Sequence, residues 1–561
     1  MRRLLVAVVL VCLSFTATAA PAGAEIRNEK WREDLAYARR LLPRVHINLF
    51  HDLSQREFDK LFTDLDRDVP RLADHEIIVR LAAIVARFGP RDGHSRVNLF
   101  APAAGFSRLP INLYQFSDGL FVRAIQKEHA GLEGARVIAI GGVEAERAIE
   151  RVSEITPADN EWTRKAWSMD LVSIPEVLHA LKITTGDVKA PVPFELELPD
   201  GKRRIVAIAP VASLESVEWI DLRFRTGTAP LYLRHASRDP FDRHGAAKNH
   251  WFEYLPEHSL LYVNYSGVVD DKDESVARFS ESLFEFADRN VVKKIVFDVR
   301  QNSGGNNYLN RPIFYEMMKR RDTLGRRGSL FVIIGRVTYS AAQNFVNFFD
   351  NHFETIFVGE PTGASPNHYG DPLRIELPNS RIPIAASSVW WQDLDPRDSR
   401  MWIEPHVAAE LDSRSTAEGR DPALEAIIDY KQAPSVAEVV RAAMAKGPAE
   451  AEQAMRAWHA EPRNKYQRSD GALNRFAVSL YGENRPADAL AVFELNAKVN
   501  PRSWLAHNSL ARGYASVGRK PEAIAEYESA IAIDPRAALS ITGLERLRNP
   551  SPPDAKPSPP H

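Results

Sequence analysis

The stretch "FVIIGRVTYSAAQNF", residues 331–345, is four apolar residues, a short polar break, then Ser340 and an apolar run. Four consecutive apolar residues suit a strand buried on both faces, and the run after Ser340 has helical spacing. The same alternation surrounds it. "HSLLYVNYSG" reads as a strand, "SVARFSESLFEFADR" as a helix, "KKIVFDVR" as a strand, "NRPIFYEMMKRR" as a helix and "ETIFVGE" as a strand. Strands alternating with helices predict βαβ units around a parallel or mixed sheet over residues 211–432, with functional groups at the carboxyl ends of the strands.

Ser340 has two readings. With Gln343 it spells the S-x-x-Q capping box, in which the hydroxyl accepts from a backbone N–H of the first helical turn. A serine at a strand-to-helix turn can instead stand exposed at the sheet's carboxyl edge, where the helix N-terminus favours a developing negative charge. The preceding unit, "IVFDVRQNSGGNN", ends a buried strand at Asp298 to Arg300 and turns through Gly304 and Gly305. Glycines there let bare N–H groups face a ligand, as an oxyanion hole requires, with Ala341 N–H as the other donor. The G-x-x-x-x-G-K-[ST] spacing of a phosphate loop is missing. A nucleophilic serine needs a base. His94 in "RDGHS" stands out, beside a glycine turn and with Asp92 and Ser95 close by.

Outward from this core, residues 25–107 carry helical patterns in "WREDLAYARRLLPRVH" and "HEIIVRLAAIVARFG", followed by the "DGHS" motif. Residues 108–210 shorten to strands: "RLPINLYQF", "GLFVRAI", "ARVIAIGG", "PVPFELEL" and "RRIVAIAP". The unit "FVRAIQKEHAGLEGARVIAIGGVEAERAIERV" resembles a PDZ domain, which holds an extended peptide at a sheet edge. In residues 433–548, Pro501 and Pro535, Ala489 and Ala523, and Phe493 and Tyr527 recur at the tetratricopeptide period. "VAEVVRAAMAKGPAEAEQAMRAWH" reads as a further helical pair packed on these repeats. The Pro-rich end, residues 549–561, has the composition of a disordered tail.

The N-terminus, "MRRLLVAVVLVCLSFTATAAPAGAE", has two arginines, an apolar run and small residues, the pattern of a secretory signal peptide over residues 1–24. The only cysteine, Cys12, lies inside it, so disulfides, thiolate catalysis and Cys-ligated zinc are excluded from the mature chain. Cleavage removes Arg2 and Arg3 and moves the formal charge from −2 to −4. Of the 561 residues, 44% are apolar and 26% charged, which suits a multidomain globular protein and points to no nucleic-acid partner. The expected location is periplasmic or secreted, with no stable membrane anchor after cleavage.

Taken in order, these motifs resemble the tail-specific (C-terminal-processing) serine protease family in its tricorn-core-like branch. The chain carries "DGHS", the PDZ-like insert, "DVRQNSGG" for D-[LV]-R-x-N-x-G-G and "TYSAAQNF" for T-x-S-A-A-E-x-F. "VGEPTGA", "PRDSRMWIEPHV" and "GRDPALEAII" follow. The resemblance covers about residues 25–430 and implies a multidomain α+β protein whose α/β core is ClpP/crotonase-like. It implies Ser340 as nucleophile, Gly304 or Gly305 with Ala341 as oxyanion hole, and no metal or other cofactor. One branch of the family activates its serine with a lysine, but "VGEPTGASPNHYGD" contains none. In the other branch a histidine upstream of the PDZ-like insert is the base, and His94 fits. Ser95 and an acid would orient it, with Asp398 the first candidate for the acid and Glu404 the second. Gln343 departs from the family's Glu, and Asn306 and Asn307 stand where a third Gly is common.

The expected activity is that of an exported serine peptidase acting on peptides or unfolded proteins, with the tetratricopeptide region available to a protein partner. Two alternatives stay open: a catalytically silent member binding a peptide or an apolar ligand, and a PDZ/tetratricopeptide scaffold in which Ser340 is only a cap.

Overall fold

The computed structural model describes residues 22–549 except 228, 243, 244 and 397. The signal-peptide reading and Cys12, apart from residues 22–24, and the Pro-rich tail after Asn549 lie outside the described residues. The chain forms two compact units, and the first is discontinuous: residues up to Tyr114, then Val122–Ile220, then Asn367–Gln392. The second takes Gln115–Phe121, Asp221–Pro366 and Asp393 onward.

In the first unit, the helices Ala22–Val45, Gln55–Asp68 and Asp74–Ala86 bury Leu35, Leu42, Phe58, Phe62, Ile77 and Leu81. Ser54 caps the second by accepting from Glu57 N–H. A three-stranded antiparallel sheet joins Arg96–Val97, Pro383–Gln392 and Asn367–Glu376. A separate seven-stranded sheet runs in the order Ile111–Phe116, Gly119–Gln126, Arg136–Ile140, Val192–Glu197, Arg203–Ile208. These five strands match the alternating runs of the sequence. Two helices between them, Glu161–Leu171 and Pro175–Ala180, carry no strong sequence pattern. The first buries Thr163, Ala166 and Ser168, small or polar residues that dilute an apolar stripe.

The second unit is built on a six-stranded sheet ordered Val407–Ala408, Ile356–Gly359, Leu330–Ile334, Lys294–Asp298, Leu260–Tyr265, His250–Leu255. Every pairing is parallel except that of the edge strand His250–Leu255. Strand order follows chain order, so successive crossovers of one hand place their helices on one face. Val276–Arg289, Arg311–Lys319 and Ala341–His352 do share that face, packing Leu283, Met317, Phe345 and Phe349 against Val263, Phe297 and Val332. The intervening residues Tyr262, Val296, Phe331 and Ile333 point to the other face, against Ala423 and Ile427. With both faces covered, the strands are apolar throughout rather than alternating.

From Val436 to Arg548 this unit is helical. Asp470–Gly482 and Trp504–Ser516 start 34 positions apart, as do Pro486–Val499 and Lys520–Ile533. Gly513 keeps the crossing close, since an added Cβ would lie 3.0 Å from Leu490 and 3.2 Å from Phe493. The pair Val436–Met444 and Pro448–Ala460 packs into the same core through Val440, Met455 and Trp458. Among the described residues no helix is long and apolar enough to cross a membrane.

Candidate active site

The carboxyl end of the parallel sheet carries the loops that matter. Strand Lys294–Asp298 ends in a buried ion cluster, in which Arg300 donates to Asp298 and, at 2.8 Å through both terminal nitrogens, to Asp421. The Tyr262 hydroxyl donates to Asp298 at 2.6 Å. A paired, hydrogen-bonded buried cluster fixes geometry more than it adds stability.

That loop lies between two neighbours. On one side Val268 N–H donates to Gly304 C=O (2.9 Å) and Asn306 N–H donates to Val268 C=O (2.8 Å), a parallel bridge centred on Gly305. On the other side Asn302 C=O accepts from Tyr339 N–H at 3.1 Å, and the Thr338 hydroxyl donates to Val299 C=O at 2.9 Å. In a parallel bridge of this form the N–H of the central residue points away from the partner. Gly305 N–H therefore points away from Val268. Gly304 N–H is already spent on Asn302 Oδ1 at 2.9 Å. Of the two glycines, Gly305 keeps its N–H out of these bonds, and Gly304 allows close approach. A Cβ on Gly304 (φ +110°) would lie 2.7 Å from Ser340 Cβ and 3.1 Å from Ala341 N.

Ser340 sits at φ +54°, ψ −127°, a conformation non-glycine residues rarely adopt, and is half-buried. A strained serine between a buried strand and a helix is the geometry of a nucleophile elbow. The capping box does not form. Ser340 makes no side-chain cap hydrogen bond, and Gln343, fully buried, donates instead to Asn347 Oδ1 at 2.8 Å. A capping serine needs extended φ/ψ, whereas the positive φ turns the hydroxyl off the helix axis. Asn310 Nδ2 donates to Ala341 C=O at 3.0 Å and holds the first turn in place.

His94 and Ser95 lie in the first unit. His94 is 7% exposed. Burial, then His368 and Arg96, push its pKa down to about 3, so the imidazole is neutral at pH 7 and able to act as a base. His94 donates to the Tyr369 backbone carbonyl, and its ring stacks on that of His368 with centroids 5.7 Å apart. The Ser95 hydroxyl is engaged elsewhere: it donates to Ser387 Oγ (3.3 Å) and accepts from Ser387 N–H (3.0 Å). Asp398 and Glu404 lie in the second unit. Asp398 takes three hydrogen bonds from the Arg400 guanidinium, which also reaches Asp350 at 2.7 Å. Burial raises the Glu404 pKa above the usual carboxylate range.

Sequence reasoning missed a buried group around the "DGHS" loop. His46 and Asp92 have no side-chain exposure and are joined at 2.9 Å, and Ser387 donates to the other Asp92 oxygen at 2.6 Å. Asp92 and Ser387 are 295 positions apart, and no local pattern connects them. Among the described residues no group of three or more His, Cys, Asp or Glu could hold a metal ion.

No family model matches the sequence, and no curated protein matches it significantly. Solved structures do match. A serine-to-alanine mutant of CPAF aligns with 73% of this chain and 99% of its own at 10% identity and a TM-score of 0.50. The photosystem II D1 C-terminal processing protease aligns with 70% of this chain and 98% of its own, at 11% identity and a TM-score of 0.33. The tricorn protease aligns with 72% of this chain and 36% of its own, at 13% identity and a TM-score of 0.31. At such identity the CPAF likeness is one of fold.

Proposed function

We propose that the chain is a serine-type peptidase that cleaves peptides or unfolded protein tails through an acyl-enzyme on Ser340. The observation that carries this reading is the turn itself: a strained, half-buried serine with an unspent capping role, pressed against Gly304 and beside the outward N–H of Gly305. Neutral His94 takes the Ser340 proton as the hydroxyl attacks the peptide carbonyl, and returns it to the leaving amine. The oxyanion is held by the N–H groups of Gly305 and Ala341, and water then releases the acyl group. Asp398 or Glu404 is the acid the family resemblance offers for orienting His94.

The seven-stranded domain serves in this reading as a PDZ-like module capturing an extended peptide, and the 34-residue helical repeats as a tetratricopeptide surface for a protein partner. The N-terminal composition supports export.

Treating the purified protein with a fluorophosphonate probe tests the assignment. Wild type is expected to be labelled once, at Ser340, with labelling lost in Ser340→Ala. Labelling that persists in Ser340→Ala overturns the nucleophile, and an unlabelled wild type overturns the activity.

A further inference from the structure

His46 is held in one tautomer. Its Nδ1 accepts from Asn48 N–H at 3.0 Å, so Nε2 carries the proton and donates to Asp92 Oδ2 at 2.9 Å. The other Asp92 oxygen accepts from the Ser387 hydroxyl at 2.6 Å and from Ser95 N–H at 3.2 Å. The Ser95 hydroxyl donates to Ser387 Oγ, completing a relay of hydroxyls that ends on the carboxylate. Asp92 is thus a wholly buried anion with three donors, two residues from the base. Such donors hold a carboxylate ionised despite burial. The surrounding backbone is tied down as well. Gly93 N–H donates to Asp159 Oδ1 at 2.7 Å, Arg91 N–H to Asp159 C=O at 2.9 Å, and Tyr369 N–H to Arg91 C=O at 2.8 Å. Tyr369 then offers its own carbonyl to the His94 ring.

We propose that Asp92, kept ionised by His46 and Ser387, is the carboxylate that positions His94 and offsets the imidazolium charge formed during attack. This rests on the reading of His94 as base, and it makes Asp92 a positioning residue whose charge acts without touching substrate. Asp398, engaged by Arg400, is not needed for that role. A buried charge acting on a buried ring is weakly screened, so it is felt across a distance at which a surface carboxylate would not be.

The test measures fluorophosphonate labelling of the full chain as a maximal rate (kinact) and a probe affinity (KI). Asp92→Asn is expected to lower kinact about tenfold with KI within twofold, since probe contacts are untouched and the base is weakened. Ser387→Ala, which removes one donor and little volume, is expected to fall in the same direction by a smaller factor. It keeps the test usable if Asp92→Asn does not fold. His46→Phe should fall further than His46→Gln, whose amide can still donate to Asp92. Unchanged kinact in Asp92→Asn and Ser387→Ala overturns the proposal, as does a tenfold loss of kinact in Asp398→Asn with none in Asp92→Asn. An unlabelled wild type would be failure of the peptidase reading. The histidine ¹⁵N spectra at pH 7 then decide: a single His94 tautomer in wild type and averaged shifts in the Asp92→Asn or Ser387→Ala protein support the positioning role, and identical spectra overturn it.

Discussion

Replacing His94 by alanine is expected to slow acylation of Ser340 by about 10³–10⁴-fold at pH 7, within the range general-base catalysis supplies. The imidazole is already neutral, so the wild-type rate should stay flat from pH 8 down to about pH 5. A base with an ordinary histidine pKa would lose rate below about pH 6.5. Labelling rates across that range check both statements, and a wild-type acid limb near pH 6.5 would show that His94 titrates as an exposed histidine.

The same burial has a stability consequence of fixed sign. The folded-state pKa of about 3 lies below the ordinary value of 6.5, so between these values the unfolded chain binds the extra proton. Stability is complete above about pH 6.5 and is lost as pH falls toward 3, by at most about 5 kcal/mol for this group. Asp92 adds a loss of the same direction at lower pH, because its pKa is held below the usual carboxylate range by His46 and Ser387. His94→Gln should therefore show a shallower fall of Tm between pH 7 and pH 4 than wild type. Parallel curves would mean that His94 is solvated.

How much of this was legible in the sequence depends on how local the cause is. "LLYVNY", "KIVFD", "LFVII" and "IFVG" announce themselves because a strand covered on both faces must be apolar at every position. The hairpin of Asn367–Glu376 and Pro383–Gln392 does not, since Gly370, Asp371 and Pro372 interrupt its first strand with turn residues. Asp371 even takes φ +46°. The capping box was misleading for a reason of conformation: S-x-x-Q states a spacing, whereas a cap requires an extended serine, and Ser340 is at positive φ. The glycine pair was legible as a loop in need of glycine. Which of the two offers its N–H was not, because Asn302 and Val268 decide it from either side. The His46–Asp92–Ser387 group is least legible, as it joins three separate segments.

Gly304→Ala separates an active-site loop from an ordinary turn. The added methyl would meet Ser340 Cβ at 2.7 Å, Tyr339 O at 3.0 Å and Ala341 N at 3.1 Å, at a backbone φ of +110°. None of these is the far end of a flexible side chain, so relief requires the Ser340 turn to move. A displacement of a few tenths of an ångström misplaces both the nucleophile and the Ala341 donor, and loss of one oxyanion donor alone costs about 10²–10³ in rate. We expect kinact to fall by at least that factor while the fold persists. Gly328→Ala is the control for backbone strain: its φ is +86°, yet an added Cβ meets nothing within 4 Å. Strain at a positive φ costs about 1 kcal/mol or somewhat more in either place. Only Gly304→Ala also reaches the serine, so Tm should drop by a few degrees in both variants and labelling should collapse in one. Equal labelling in the two would mean that the Gly304 contact does not set the position of Ser340, and the nucleophile elbow would lose its floor.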